Sequence, residues 1–404
     1  MDIRPILSTL RRHKTAATLI VLEIALTCAI VCNAVFLISN RIERMAAPTG
    51  LAESELLHLQ VSGIAKVDNA DALTLQDLAT LRGLPGVKSA AVVNQLPFGD
   101  NSSDTSINLV PDQPTATLQA AFYLTGDGTV ETLGLRLLEG RNFLPEEYLA
   151  QSDVEHAAEV RLPTALLDRA TAARLFPGKS AVGQAIYLFG NAPTRIIGVV
   201  ERLAPPQPGN PDGDYVVVLP VRPSYRQGSY LLRVDPAQRH AVLRAAAAAL
   251  EGNDSRRIVS TQQLFEDMRR SYYQQDRWMT AVLAAVCLAL LVVTAFGIVG
   301  LASFWVQQRT RMIGVRRALG ASRRQILGYF QTENFLLTGI GIGIGMVGAY
   351  AINQLLMTHY ELPRLPWLCL PIGALALWAL GQIAVLGPAL RAAALPPVVV
   401  MRGV

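Results

Sequence analysis

Two stretches of this sequence spell patterns that hold phosphate in other settings. Pro177–Ser180 reads PGKS, the ending of a phosphate-binding loop, but the first glycine of that loop would fall at Ala173, and the stretch follows a helical segment instead of a strand. Gly343–Gly348 reads GIGMVG, a G-x-G-x-x-G spelling, yet it lies inside an apolar run with no strand before it. The sequence therefore argues against a nucleotide site, and so against catalysis, in this chain. Metal chemistry finds no support either: His13, His58, His156, His240 and His359 are scattered without ligand spacing, and Cys28, Cys32, Cys287 and Cys369 all lie in apolar runs. Cys28 and Cys32, four apart on one helix face, read as small packing residues. Glu23 is different, an acid well inside an apolar run. Burying it costs several kcal/mol unless it is neutral, paired or facing a wet interior. It fits a hydrogen bond across a dimer interface, an ion or proton path, or a simple inner-leaflet position.

The strongest chemical signal is cationic. From Arg309 to Arg324 the chain reads RTRMIGVRRALGASRR, six arginines and no acid in sixteen residues, between two of its most apolar runs. Guanidinium groups at that density bind anionic headgroups, orient a docked partner, or fix the side of a membrane on which a segment stays.

The elements that must position these residues are set by composition. Of 404 residues 51% are hydrophobic and 17% charged, with a mean hydropathy of +0.31, too apolar for an ordinary soluble protein yet long enough to include a soluble domain. A formal charge of +5 could indicate nucleic acid, but the cations crowd at the ends of apolar runs, so no nucleic-acid partner is expected. Four runs reach the roughly 20 residues that cross about 30 Å of hydrocarbon: Thr15–Ile38, Trp278–Trp305, Phe335–Leu356 and Trp367–Leu386. Arg4, Arg11, Arg12 and Lys14 precede the first, the arginine loop separates the second and third, and Arg391 and Arg402 follow the fourth. Short cationic loops stay cytoplasmic, which places both termini and the arginine loop inside. The first run is long, holds Glu23 and ends without an A-x-A-like site, so it reads as a retained anchor. Within the third run, Gly339 with Gly343 and Gly341 with Gly345 make overlapping small-xxx-small pairs suited to close helix packing.

The region outside lacks cysteine and must be stabilised by its own core. Strand, helix, strand is the rhythm of Glu55–Val61, Ala72–Gly86 and Val87–Leu96, and again of Ser229–Asp235, Pro236–Gly252 and Arg256–Thr261. The two units read as halves, about 52–100 and 228–260, of one α+β subdomain, with a strand-rich insert over about 101–227. Ala204–Gly213, APPQPGNPDG, reads as an exposed loop. Ser260–Gln263, STQQ, has the spacing of a capping box, and Leu264, Met268 and Tyr272 follow at i, i+4 and i+8. This predicts a helical stalk over about 261–277, continuous with the second span and about 65 Å long for about 45 residues.

Gly320, Ala321 and Ser322 divide the arginine loop. Thr310–Leu319 can form a short helix with Met312, Val315 and Leu319 on one face and Arg309, Arg316 and Arg317 on another, and SRRQ (Ser322–Gln325) is a second capping box opening the next helix. A topology signal, a helix on lipid headgroups and a helix docked in a partner's groove all fit the residues.

QQRTRMIGVRRALGASRRQIL resembles the cytoplasmic segment of the MacB/FtsX-like ABC transporter permease family. LPGVKSAAVVNQLPF, VETLGLRLLEGRNFLPEE and ATAARLFPGKSAVGQAIYL resemble the family's periplasmic core domain, and GPALRAAALPPVVVMR its tail. The resemblance implies that the short helix is a coupling helix against an ATP-binding subunit, with Arg311, Ile313, Gly314, Arg316, Arg317, Ala318, Leu319, Gly320 and Ala321 matching its motif. Met312 stands where the family usually has Glu, and Leu390, Ala394 and Pro396 replace usually charged positions, a pattern expected of one half of an unequal permease pair. Further implications are a partner ATPase dimer carrying ATP and Mg, a second permease, identical or a paralogue, and in some relatives a periplasmic adaptor and outer-membrane channel. The implied activity is mechanotransmission for export of a peptide, drug or lipid-linked cargo; a signalling permease controlling an envelope enzyme, or a membrane-anchored sensor or binding protein, are the alternatives. The expected fold class is an α-helical inner-membrane protein with four transmembrane helices and a large α+β periplasmic domain between helices 1 and 2. In chain order its pieces are 1–40, with the first helix; 41–277, the periplasmic domain; 278–305, the second helix; 306–334, the coupling helix and lead-in; 335–356, the third helix; 357–366, a short periplasmic loop; 367–386, the fourth helix; and 387–404, the cytoplasmic tail.

Overall fold

The computed structural model describes residues 14–63, 69–157, 160–210, 213–360 and 369–394. Expectations resting on Arg4, Arg11, Arg12, His13, Pro396, Arg402 and most of the 357–366 loop lie outside the described residues, as does the side chain of Cys369. The chain forms two units, Arg44–Gln274 and a helical unit from the remainder.

In the helical unit Lys14–Ala46, Gln274–Gln308, Arg323–Tyr360 and Cys369–Ala394 are each long and apolar enough to cross a membrane. All four contribute to one apolar core, with Ile24 and Cys28 from the first, Ile298 from the second, Ile342 from the third and Leu377 from the fourth. Glycine sets how closely the first and third approach. A Cβ on Gly341 would lie 2.8 Å from Cβ of Ile24, and one on Gly345 only 2.5 Å from Cβ of Cys28. The Gly339/Gly343 pair does not pack this way, because it lies on a different face of the helix: a Cβ on Gly339 would have ordinary clearance to Trp378, and one on Gly343 would meet no described residue within 4 Å. Cys28 and Cys32 sit in this packed seam, their sulfurs 4.0 Å apart and Cys28 Sγ 3.9 Å from the carbonyl of Ile342.

The Arg44–Gln274 unit contains a four-stranded antiparallel sheet in the order Arg257–Leu264, Leu56–Gly63, Ser229–Val234, Val87–Val93. Helices Ala70–Arg82 and Arg239–Asn253 cover one face. Alternation sends Leu57, Leu59 and Val61 under those helices and leaves His58 and Gln60 on the opposite face. A buried ion pair ties the edge strand to the first of them: Arg257 reaches both oxygens of Asp77 at 2.7 and 2.9 Å, and Asp77 also accepts from Tyr230 Oη at 2.6 Å. The insert is a second, larger sheet built on Asp104–Ile107, Leu118–Leu124, Val216–Leu219, Thr164–Asp168, Pro193–Val200 and Leu137–Gly140, with Ala185–Tyr187 beside Pro193–Val200. Its core includes Ala165, Leu167, Ile196 and Val217.

Three local expectations are corrected. Ser260–Gln263 forms no capping box, because these residues lie in the strand Arg257–Leu264, where Gln263 stands opposite His58 and Thr261 opposite Gln60. Ladder pairing, repeated along the strand, outweighs one local cap. The helix begins only at Phe265, ends at Tyr272, and is separated from Gln274–Gln308 by Tyr273, so the single long helix is two. Burial explains the break: the Tyr273 ring packs 5.5 Å from that of Phe98, and its hydroxyl donates to the carbonyl of Arg44 at 3.2 Å. Finally, Ala204–Pro206 is buried instead of exposed, its carbonyls accepting from Tyr123 Oη at 2.7 Å and from the Phe98 amide at 2.9 Å; exposure begins at Gln207.

Candidate functional site

The second membrane helix ends at Gln308, and the chain turns at Arg309 into the helix Thr310–Ala318. Sequence reasoning placed Arg309 with Arg316 and Arg317 on one cationic face. Arg309 instead points inward, its Nη1 donating to the carboxylate oxygens of Glu333 at 2.8 and 3.1 Å, with both side chains buried. The guanidinium also lies 5.5 Å from the Trp305 ring centroid. This pair joins the end of the second membrane helix to the third, and Glu333 was missed. The available signal was an acid in YFQTENF, on the lead-in to an apolar run, where an unpaired carboxylate is costly.

The other contacts of the short helix follow the same logic. Ile313 and Gly314 are buried, Ile313 in the apolar core of the four helices. Arg316 stacks over Tyr329 of the third membrane helix at 5.2 Å, and Arg317 Nη1 donates to the carbonyl of Ala393 at 2.9 Å, near the end of the fourth. A cation at a helix C-terminus also meets the negative end of its macrodipole. The short helix is thus attached to three membrane helices at once.

Its far end is fixed by backbone chemistry. The amide of Gly320 donates to Arg317 O at 3.1 Å and that of Ala321 to Arg316 O at 3.0 Å, the two bonds of a Schellman stop, with Gly320 in the left-handed region at φ +97°. Immediately after, the Ser322 amide donates to Gln325 Oε1 at 2.9 Å and the Gln325 amide to Ser322 Oγ at 3.3 Å, a complete capping box. Stop and start signals adjoin, so the corner is narrow and defined. The helix turns outward the apolar Met312, Val315 and Leu319, spaced i, i+3 and i+7, with Leu319 83% exposed; Arg311 and Arg316 are exposed beside them.

The remaining residues singled out in the sequence lie elsewhere. Glu23 of the first membrane helix faces Gly297 of the second, where a Cβ would come within 2.5 Å of its carboxylate. It makes no hydrogen bond or ion pair with a described residue; one turn on, Thr27 and Thr294 hydrogen-bond across the same seam at 2.8 Å. Gly341 and Gly345 pack the helices together and do not approach the Thr310–Ala318 helix. Among the described residues no cluster of His, Cys, Asp and Glu could hold a metal ion. In the PGKS turn, Ser180 Oγ donates to Glu139 at 2.8 Å.

A multi-pass helical bundle carrying a large α+β domain after its first helix, and a short helix braced across its other three, defines a class of transporter permeases. The match is to two family descriptions, the MacB-like periplasmic core domain over residues 17–252, more than half of the chain, and the FtsX-like permease C-terminal over 284–397. The chain belongs to the MacB/FtsX-like ABC transporter permease family. Among its relatives, a macrolide export ATP-binding/permease protein MacB of Rhodospirillum rubrum is 29% identical over 59% of this chain and 38% of its own length. The uncharacterized ABC transporter permease YknZ of Bacillus subtilis is 26% identical over 81% of this chain and 79% of its own. The pyoverdine export ATP-binding/permease protein PvdT of Pseudomonas putida is 25% identical over 96% of this chain and 57% of its own. The chain therefore spans about two fifths of the MacB relative and somewhat more than half of PvdT.

Proposed function

We propose that this chain is the permease subunit of a mechanotransmission ABC transporter and that Met312, Val315 and Leu319 dock on a separate ATP-binding subunit, which holds ATP and Mg. The carrying observation is the pairing of an unpartnered apolar face with a helix braced to three membrane helices. A topology signal needs only charge, and a helix lying on headgroups needs no rigid corner. A docked helix needs both an apolar face and a fixed orientation. Closure of a partner ATPase dimer would press on this face, and the Arg309–Glu333 pair, Ile313 and Arg317 would pass the displacement to the second, third and fourth helices. On this reading both termini are cytoplasmic in the inner membrane, the Arg44–Gln274 domain is periplasmic, a second permease completes the bundle, and the work drives export of a peptide, drug or lipid-linked cargo, with an adaptor and outer-membrane channel as further partners.

Co-purification from the native cell, with nucleotide trapping, tests the assignment. Wild-type chain brings down an ABC ATPase, and Leu319→Asp or Val315→Asp reduces its recovery at least tenfold while leaving the chain in the membrane. Gly320→Val, which forces a branched residue into a left-handed conformation at a cost of about 1–3 kcal/mol, leaves the ATPase bound but uncouples hydrolysis from transport. Recovery of no ATPase from wild type, or full transport by Gly320→Val, sinks the reading. Co-purification of an envelope hydrolase in place of export partners would favour a signalling permease.

A further inference from the structure

The Arg44–Gln274 unit holds a cleft of about 370 Å³ that the coupling function does not use. Its floor is part of the sheet face opposite the two helices, where His58 and Gln60 stand in register with Gln263 and Thr261 of the edge strand. One wall is the helix Phe265–Tyr272, presenting Met268 and Tyr272; the other is the segment after Val87–Val93, which contributes Phe98. The volume falls at the lower end of the roughly 300–1,000 Å³ of small-molecule sites.

Two independent features mark the cleft as a built site. His58 is 6% exposed, and while its Nδ1 lies 3.3 Å from Gln263 Nε2, its Nε2 has no hydrogen-bond partner. Leaving such an atom unpaired costs about 1–3 kcal/mol, which a ligand group would recover. Phe98 has φ +67°, an outlier for a bulky residue, held by rings of Phe265, Tyr272 and Tyr273 at 5.8, 5.3 and 5.5 Å. Strain of this kind persists where the surroundings over-determine it, and it gathers at binding sites.

The lining identifies the ligand class. Among the described residues that line it, carboxamides and hydroxyls dominate, no lysine or arginine contributes, and the one acid is Asp100. An anionic ligand would find no cation, and an acyl chain no apolar trough. An extended peptide adds to a free strand edge, whereas the main chain at His58, in the cleft floor, is already paired on both sides, with Leu231 and with Gln263. A sugar hydroxyl both donates and accepts, as carboxamides and hydroxyls together do, and the C–H face of a pyranose buries well against an aromatic ring. We propose that this cleft binds a neutral saccharide, with one ring against Tyr272 and its hydroxyls taken by Gln60, Thr261 and the His58 ring. The site stands whether or not the coupling reading holds.

The test is saturation-transfer NMR and calorimetry on the full chain in lipid nanodiscs free of glycoside detergent, with chitotriose and maltotriose as probes and trialanine as the peptide control. Saturable binding of at least one trisaccharide is expected, weakened at least tenfold by Tyr272→Ala and by Gln60→Leu, with trialanine silent. Unchanged hydrogen exchange in Leu56–Gly63 establishes that each variant is folded. Absence of saturable binding by both trisaccharides, equal binding by both folded variants, or binding of trialanine in their place overturns the proposal.

Discussion

At the scale of single residues, burial decides what two charges do. Desolvation holds the His58 pKa down to about 4, against about 6.5 in an unfolded chain. Between those values the unfolded state binds a proton that the folded state refuses, so stability falls as pH falls from about 6.5 towards 4, by about 3 kcal/mol in all. Asp168, whose pKa burial raises, works in the opposite sense in acid, so the comparison to make is with His58→Gln. Amide protection in Leu56–Gly63 should drop between pH 7 and 4.5 in wild type and clearly less in that variant; equal losses would assign the effect to another group. Arg309 and Glu333 present the second case. Removing one partner leaves the other buried and unpaired at a cost of roughly 3–5 kcal/mol, whereas replacing both by methionine costs far less. A double-mutant cycle on thermal stability should show Arg309→Met and Glu333→Met each severe and the pair partly restored. Additive losses would mean that the two act separately.

Among the elements, the third membrane helix separates a functional spelling from a packing one. Its glycines alternate along the sequence, yet a Cβ on Gly345 would strike the first helix and one on Gly343 would meet no described residue within 4 Å. Gly345→Ala should therefore lower the melting temperature, at a cost of about 1–3 kcal/mol for overpacking. Gly343→Ala should leave it unchanged or slightly higher, alanine being the better helix former. Equal effects at the two positions would contradict the helix rotation described here. The corner at Gly320–Gln325 was legible because both of its motifs are local, a glycine stop and a Ser-x-x-Gln start, and both formed. The same Ser-x-x-Gln spacing at Ser260–Gln263 misled, because there the neighbouring strand Leu56–Gly63, some 200 residues away in the chain, supplies hydrogen bonds that no local pattern reveals.

For the molecule as a whole, the two units have separate cores. All four cysteines lie outside Arg44–Gln274, so that unit is stabilised without covalent cross-links. Expressed alone, residues 44–274 should fold, unfold cooperatively and show the same melting temperature with and without reductant. A shift on reduction, or failure to fold without the helical unit, would show that the domain borrows stability from outside itself.

The sequence by itself determined the four apolar helices, because about 20 consecutive apolar residues have few other uses. It also determined the short cationic helix with its corner, since capping and glycine stops act over four or five residues, and the family, whose motifs are spread along the chain. Tertiary structure alone decided that Arg309 turns inward to Glu333 and that one glycine pair packs while the other is idle. Only there, too, did Tyr273 break the long helix and His58, Gln60, Thr261 and Gln263 come together over one cleft. Each of these depends on which residue lies opposite across a helix crossing or a strand ladder, and that is fixed by packing between segments far apart in the chain.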